Sequence, residues 1–188
     1  MTRNLFAALS VALLLLACSG GGQRTAAPDP EAPDRSAACA VCGMTVVDYP
    51  GPKAQLFLKG KSEPRHFCST RDFFAYLLEG DSPRAHRIRA LYVNDMGVTP
   101  WDRPNKTDPA WIPAREAFYV VGSDRRGAMG PTLASFAGRS AAEAFRADHG
   151  GEIRRFEDID RALVADLPGG GSGEGHGADM PGSSAAHP

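Results

Sequence analysis

The chain has 188 residues, of which 43% are hydrophobic, 8% aromatic and 23% charged, a globular balance that excludes wholesale disorder, collagen-like repeats and a polytopic membrane protein. Lys plus Arg number 21 against 22 for Asp plus Glu, so no basic field invites nucleic acid. Four Cys are too few for a disulfide-built miniprotein and enough for a metal or redox site.

Residues 1–17 read as an export signal: Arg3 supplies the positive start and Val11 to Ala17 the apolar run. That run is too short to cross about 30 Å of hydrocarbon, which takes about 20 apolar residues. It ends Leu15-Leu16-Ala17-Cys18, followed by Ser19 and three Gly, and so resembles a bacterial lipobox, with Leu16 bulkier than the residue usual there. Cleavage before Cys18 and lipidation of its thiol would anchor the mature chain outside the cytoplasm, on the periplasmic side of an inner or outer membrane. Residues 18–38, with Pro28, Pro30 and Pro33, bury too little apolar surface to fold and are expected to be a flexible tether. Residues 168–188, opening on a Gly run, are expected to be a disordered tail that carries His176, Met180 and His187. The folded part is then about 39–167.

Two stretches of it share an order of elements. In 39–97, Ala54 to Leu58 and Arg65 to Phe67 are predicted strands joined through a Gly60-Lys61 turn. Thr70 to Glu79 has helical spacing and stops at Gly80, and Ile88 to Asn94 is strand-like again. In 98–167, Ala117 to Val121 and Thr132 to Phe136 are predicted strands, and Ser140 caps a helix to His149 with Glu143 completing a capping box. Ile153 to Phe156 is then a strand and Asp158 to Val164 a short closing helix. Each half reads strand–strand–helix–strand, an α+β fold of two similar ββαβ units. Trp101 and Trp111 lie in a Pro-rich connector and are expected to staple the halves together, and Met96 is expected to be structural.

The segment Cys39-Ala40-Val41-Cys42-Gly43-Met44 carries the most chemistry. A Cys-x-x-Cys pair serves a redox centre, half of a zinc site, or a soft-metal site. The redox reading wants a helix after the first Cys to lower its pKa, and the following Thr45-Val46-Val47, broken at Pro50, predicts none. The zinc reading wants a second close pair of ligands, which the sequence lacks. If the segment is extended, alternation puts the sulfurs of Cys42 and Met44 on one side, a thiolate and a thioether suited to Cu(I). Met129 sits in Gly127-Ala128-Met129-Gly130-Pro131 without the apolar neighbours of a core Met, as a loop donor able to release a metal. His66 and Cys68 flank Phe67 and on a strand would share one face, either as a nitrogen and a sulfur donor or as a polar face with one buried Cys. Glu157, Asp158 and Asp160 read as a solvated helix face, and no nucleophile elbow, phosphate loop or His-Glu-x-x-His helix argues for an enzyme.

The lipobox, Cys42-Gly43-Met44, Ala117-Phe118-Tyr119-Val120-Val121-Gly122, Met129-Gly130-Pro131 and the Ala141-Ala142-Glu143-Ala144-Phe145 helix together resemble the NosL family, lipoproteins that assist assembly of nitrous-oxide reductase. The resemblance covers roughly residues 39–157. It implies a Cu(I) chaperone of two ββαβ halves, a topology shared with the organomercurial-lyase core. Such a protein would pass copper to an ABC-type assembly complex and so to the copper–sulfide centre of nitrous-oxide reductase. It also implies Cys42 as thiolate anchor and Met44 and Met129 as exchangeable thioethers, with His66, Cys68 or solvent completing the site. The sequence departs from the commoner pattern at His66-Phe67-Cys68-Ser69, where acidic residues often follow the Phe, and it adds Cys39. Those extra thiols keep two other roles open: a thiol–disulfide redox protein using Cys39, Cys42 and Cys68, and, by fold analogy, a lyase acting on carbon–metal bonds.

Overall fold

The computed structural model describes residues 26–79, 87–104 and 109–167. Its first sheet holds β1 (Ala54–Leu58), β2 (Arg65–Phe67), β3 (Ile88–Asn94) and β4 (Trp111–Pro113) in the antiparallel order β2-β1-β3-β4. Helix α1 (Thr70–Leu78) connects β2 to β3. The second sheet holds β5 (Phe118–Val121), β8 (Ala134–Phe136) and β9 (Glu152–Arg155) in the order β8-β5-β9. Between β5 and β8 stands a small hairpin, β6 (Arg126–Gly127) and β7 (Gly130–Pro131), and helix α2 (Arg139–His149) leads into β9. A short helix, α3 (Arg161–Ala165), ends the described chain. In both sheets the first strand is central, flanked by the second and by the strand that follows the helix. Among the described residues no helix is long and apolar enough to cross a membrane.

Strand β1 is buried on both faces, and one of them builds the main core. Ala54 and Leu56 of β1 face Val93 and Leu91 of β3 across the ladder, and all four join Phe67, Phe73 and Phe74 in the main core. That core runs on into the second sheet through Tyr119, Leu133, Ile159, Val164 and Leu167. Phe74 makes the join, edge-on to Tyr119 at 5.1 Å and tilted on Phe156 at 5.3 Å. Strand β5 is packed on both faces: Tyr119 points to this core, and Val120 to a smaller cluster under α2 with Ala134, Phe136 and Ala142. Its unbroken apolar run reflects that double burial.

Several expectations need correction. Residues 111–113, assigned to a connector of the second half, form β4 on the first sheet. Trp101 does bridge the halves: it stacks on Phe145 at 5.5 Å, donates its indole N–H to Arg126 O at 3.0 Å, and accepts at its carbonyl from Gly51 N at 2.8 Å. Helix α2 begins one residue before Ser140, with Gly138 as N-cap and no side-chain cap; Glu143 instead pairs with Arg139, one turn back, at 3.4 Å. The expected tether is bound to the sheet over residues 26–38. Glu31 and Gln55 exchange two hydrogen bonds, Glu31 N to Gln55 Oε1 at 3.0 Å and Gln55 Nε2 to Glu31 O at 2.9 Å. Tyr92 donates to Pro28 O and Arg89 to Ala26 O, each at 2.9 Å. Composition missed this because Pro-rich backbone needs no apolar payload when side chains of a neighbouring sheet satisfy its carbonyls.

Candidate metal centre

From the strap the chain enters a closed turn. Ala38 bridges Thr45, Cys39 N donates to Met44 O at 2.9 Å, and Gly43 N donates to Cys39 O at 3.0 Å. Gly43 reverses the chain at φ 73°, a conformation that side chains disfavour. Cys42-Gly43-Met44 is therefore a tight turn rather than an extended run, and one 3₁₀ turn, Val46–Asp48, follows it. Local β-propensity loses here to the closing hydrogen bonds. The turn docks on the edge of β2, where Cys39 bridges His66 and Ala40 N donates to His66 O at 2.8 Å. That places Cys39 and Cys42 beside Cys68, at the point where β2 gives way to α1.

The three cysteines are free thiols, and with Asp72 they form a group whose ligand atoms all lie within 4.8 Å of one another. Cys42 Sγ is 3.4 Å from Cys68 Sγ, and the sulfurs of Cys39 and Cys68 are each 3.4 Å from Asp72 Oδ2. Cys39 and Cys68 are buried and Cys42 is half-buried, so Cys42 is the member open to solvent. Ser69 caps α1 by accepting from Asp72 N at 3.1 Å, which holds Asp72 one turn beyond Cys68. The same helix end is tied to the second sheet: Thr70 Oγ1 donates to Leu133 O at 2.5 Å and accepts from Leu133 N at 3.2 Å.

Crowding these groups in a poorly solvated space separates their acidities. A hydrogen bond from the Cys68 thiol holds Cys39 down at about 4, well below the ordinary thiol value of 9.0. The same bond, then burial, pushes Cys68 far up; burial raises Cys42 and Asp72 as well, and the charge of Cys39 adds to Asp72. One negative charge forms readily and the others are held back. Three sulfur donors in so close an array are a set whose chemistry suits a soft cation.

Lys53 answers that charge. It is fully buried, and its Nζ donates to Pro50 O and to Cys68 O, each at 2.9 Å. Burial pushes its pKa down to about 8, against the attraction of Cys68 and Cys39, and it stays protonated at neutral pH. Sequence reasoning singled out neither Lys53 nor Asp72. Asp72 had a signal, the Ser69-Thr70-Arg71-Asp72 spacing of a helix start four residues after Cys68. Lys53 had none, since only tertiary burial distinguishes it from a surface lysine.

The other expected donors are placed unevenly. His66 pairs opposite Gln55, half-buried on the face crossed by the strap, and is not a member of the four-group cluster; its Nδ1 is buried without a partner. The expectation that His66 and Cys68 share a strand face fails because β2 ends at Phe67 and Cys68 already belongs to the helix entry. Met44 is half-buried at the end of the turn. Met129 sits at the tip of the β6–β7 hairpin, 44% exposed, and the adjacent Ala128 packs against Cys39, Val46 and Cys68. The hairpin thus brings Ala128, the residue before Met129, against the cysteine cluster from the second half of the chain. Cys18, His176, Met180 and His187 lie outside the described residues.

Comparison with known proteins follows the same lines. Residues 30–164 match a family model described as NosL. The chain is 40% identical over 160 residues to the copper-binding lipoprotein NosL of Stutzerimonas stutzeri, covering 83% of this chain and 80% of that one. It is 41% identical over 167 residues to the protein of the same name from Achromobacter cycloclastes, covering 87% and 83%. Among solved structures, it is similar to the crystal structure of the copper chaperone NosL from Shewanella denitrificans, with a TM-score of 0.66 and 42% identity over 71% of this chain and 97% of that one.

Proposed function

The chain belongs to the NosL family, and from that premise we propose that it is a Cu(I) carrier, not a catalyst, held by a lipid on Cys18 at the periplasmic side of a bacterial membrane. Its copper would go to an ABC-type assembly complex and, through it, to the copper–sulfide centre of nitrous-oxide reductase. The observation that carries this reading is the convergence of three free thiols, from a turn and a helix entry, on one small volume. Thiolates suit a soft monovalent cation better than they suit Mg or Ca. The lipoprotein relatives support the anchor, and Cys18 stands where a lipobox places the lipidated residue.

In this reading the half-buried Cys42 receives copper at the mouth, Cys68 behind it completes a two-thiolate grip, and Met44 and Met129 act as exchangeable thioethers at the rim. Cys39 supplies the ready negative charge, and His66 takes no direct part. A low-coordinate site with weak outer donors lets an incoming partner ligand bind before the old ones leave, so transfer is quick although the grip is tight. The matching strand orders of the two sheets support two ββαβ halves, 39–97 and 98–167, related as in the organomercurial-lyase core, with α3 closing the second and β4 lent to the first. Competition with a Cu(I) chelator tests the assignment: Cys42→Ser is expected to weaken copper binding by at least about 100-fold, and unchanged affinity would refute it.

The Cys42–Cys68 contact at 3.4 Å also favours a second reading, a thiol–disulfide protein in an oxidising compartment. Thiol titration separates the two. Thiols that are reduced on isolation and become blocked when Cu(I) is added count for the carrier; a disulfide that persists and refuses copper counts for the redox role.

A further inference from the structure

The described chain begins at Ala26, eight residues after Cys18, and eight residues of fully extended chain span at most about 29 Å. A lipid on Cys18 therefore keeps the start of the strap within that distance of the headgroups. Ala26 is fixed to one end of the first sheet, where Arg89 Nη2 donates to its carbonyl at 2.9 Å. The strap then runs along the sheet, past Tyr92 and Gln55, to Cys39. The tether thus enters at one end and the thiols lie at the other. Ala54, which opens β1, pairs with Phe67 next to Cys68, and Lys59 follows Ala54 by five residues, about 17 Å along the strand.

The tether end is basic. Lys59, Lys61, Arg87 and Arg89 are all exposed there. Lys59 N donates to Arg87 O at 2.7 Å and Arg87 Nη2 to Lys59 O at 3.4 Å, which carries the β1–β3 ladder past Leu58 and Ile88 and sets one cation beside the other. Lys61 follows in the same turn, its N–H donating to Leu58 O at 3.2 Å. None of the four has a carboxylate partner among the described residues. Glu63 is the one acid of the turn, and Asp29 lies farther along the strap beside Tyr92. Like charges held opposite each other across a ladder destabilise it, and a surface of opposite sign turns that cost into attraction. We propose that this basic end of the first sheet docks on anionic phospholipid headgroups, standing the sheet on the membrane with the thiol mouth turned away from it.

The inference rests on the lipid anchor proposed at Cys18 and deepens it. A lipid fixes where the chain is and leaves it free to turn. Cations near an anionic surface, each worth a factor of about five in partition, decide which end faces it. A tether this short also makes the contact intramolecular, so an attraction too weak to hold a free chain stays engaged in the anchored one.

The lipidated mature chain provides the test, on vesicles of phosphatidylcholine alone and of phosphatidylcholine with phosphatidylglycerol. With a membrane-impermeant amine reagent, Lys59 and Lys61 are expected to react at least about fivefold more slowly on the anionic vesicles. The difference should vanish at high salt, and alkylation of Cys42 should run at one rate on both. The unlipidated Cys18→Ser chain measures the surface by itself, through sedimentation with the anionic vesicles. Lys59→Gln combined with Lys61→Gln is expected to weaken that binding about 25-fold, whereas Arg139→Gln combined with Arg146→Gln, on α2, leaves it at the parent value. Equal amine labelling on the two kinds of vesicle, by a chain that its lipid still holds, overturns the inference and leaves the anchor standing. So does an α2 pair that weakens binding as much as the lysine pair, since overall charge would then be the cause. A lipidated chain that leaves both kinds of vesicle overturns the anchor as well.

Discussion

Cys39 and Cys68 compete for protons in a space that tolerates few charges, and the outcome decides what a metal meets on arrival. Cys39 titrates at about 4 in the folded chain against 9.0 for an ordinary thiol. One thiolate should therefore appear in the far-ultraviolet absorbance as pH rises past about 4; a titration that shows none until near 9.0 would contradict the cluster's geometry. The unfolded chain binds this proton across the window and the folded chain does not, so the contribution of Cys39 to stability grows with pH from about 4 to 9.0 and is lost as pH falls through the lower value. The melting-temperature difference between the parent and Cys39→Ser should widen in the same direction. With Cys42 and Cys68 as the proposed ligands, copper affinity should also climb with pH, because their raised thiols would have to lose protons to bind. Met129→Leu, by contrast, is expected to change affinity by less than tenfold while slowing transfer to an acceptor, since a thioether at the rim adds little grip.

At the scale of elements, the interdigitation of the two sheets depends on a few aromatic side chains. Phe74 lies in α1, 1% exposed, and touches Phe73, Tyr119 and Phe156. Phe74→Ala is expected to cost about 3–5 kcal/mol in denaturant unfolding, and to loosen the Thr70–Leu133 tie that positions Cys68 and Asp72. The elements that were legible in the sequence are the ones whose own residue types mark them. β1, β2 and β3 fall on short β-prone runs bounded by turn residues, and α1 on its helical spacing. The elements that were not legible are made by tertiary contacts. β4 is three residues recruited by the edge of β3, β6 and β7 are two residues each, and the turn at Cys42 is closed by hydrogen bonds to Cys39 and Ala37 rather than by its own propensities. The candidate site divides in the same way. Cys residues announce themselves by type and spacing, whereas Lys53 and the proximity of Cys39 to Cys68 exist only once the strap, β2 and α1 have met.

For the whole molecule, the strap gives the anchor and the metal centre a shared backbone: residues 26–38 cross the sheet from Arg89 and Tyr92, past Gln55, to Cys39. A lipid at Cys18 would then hold the sheet close to the membrane and leave the Cys42 turn and the Met129 hairpin as the parts that meet a partner. Because the proposed ligands come from separate elements of the chain, binding should stabilise the whole fold. With free metal at 100 times its dissociation constant, the gain is about 2.7 kcal/mol, seen as a higher melting temperature that Cys42→Ser abolishes. The most direct test is X-ray absorption at the copper edge of the Cu(I)-loaded full chain. A first shell made of sulfur, losing one scatterer in Cys42→Ser and one in Cys68→Ser, is the expected result; a shell of nitrogen and oxygen, unchanged by either substitution, would show that the cation sits elsewhere.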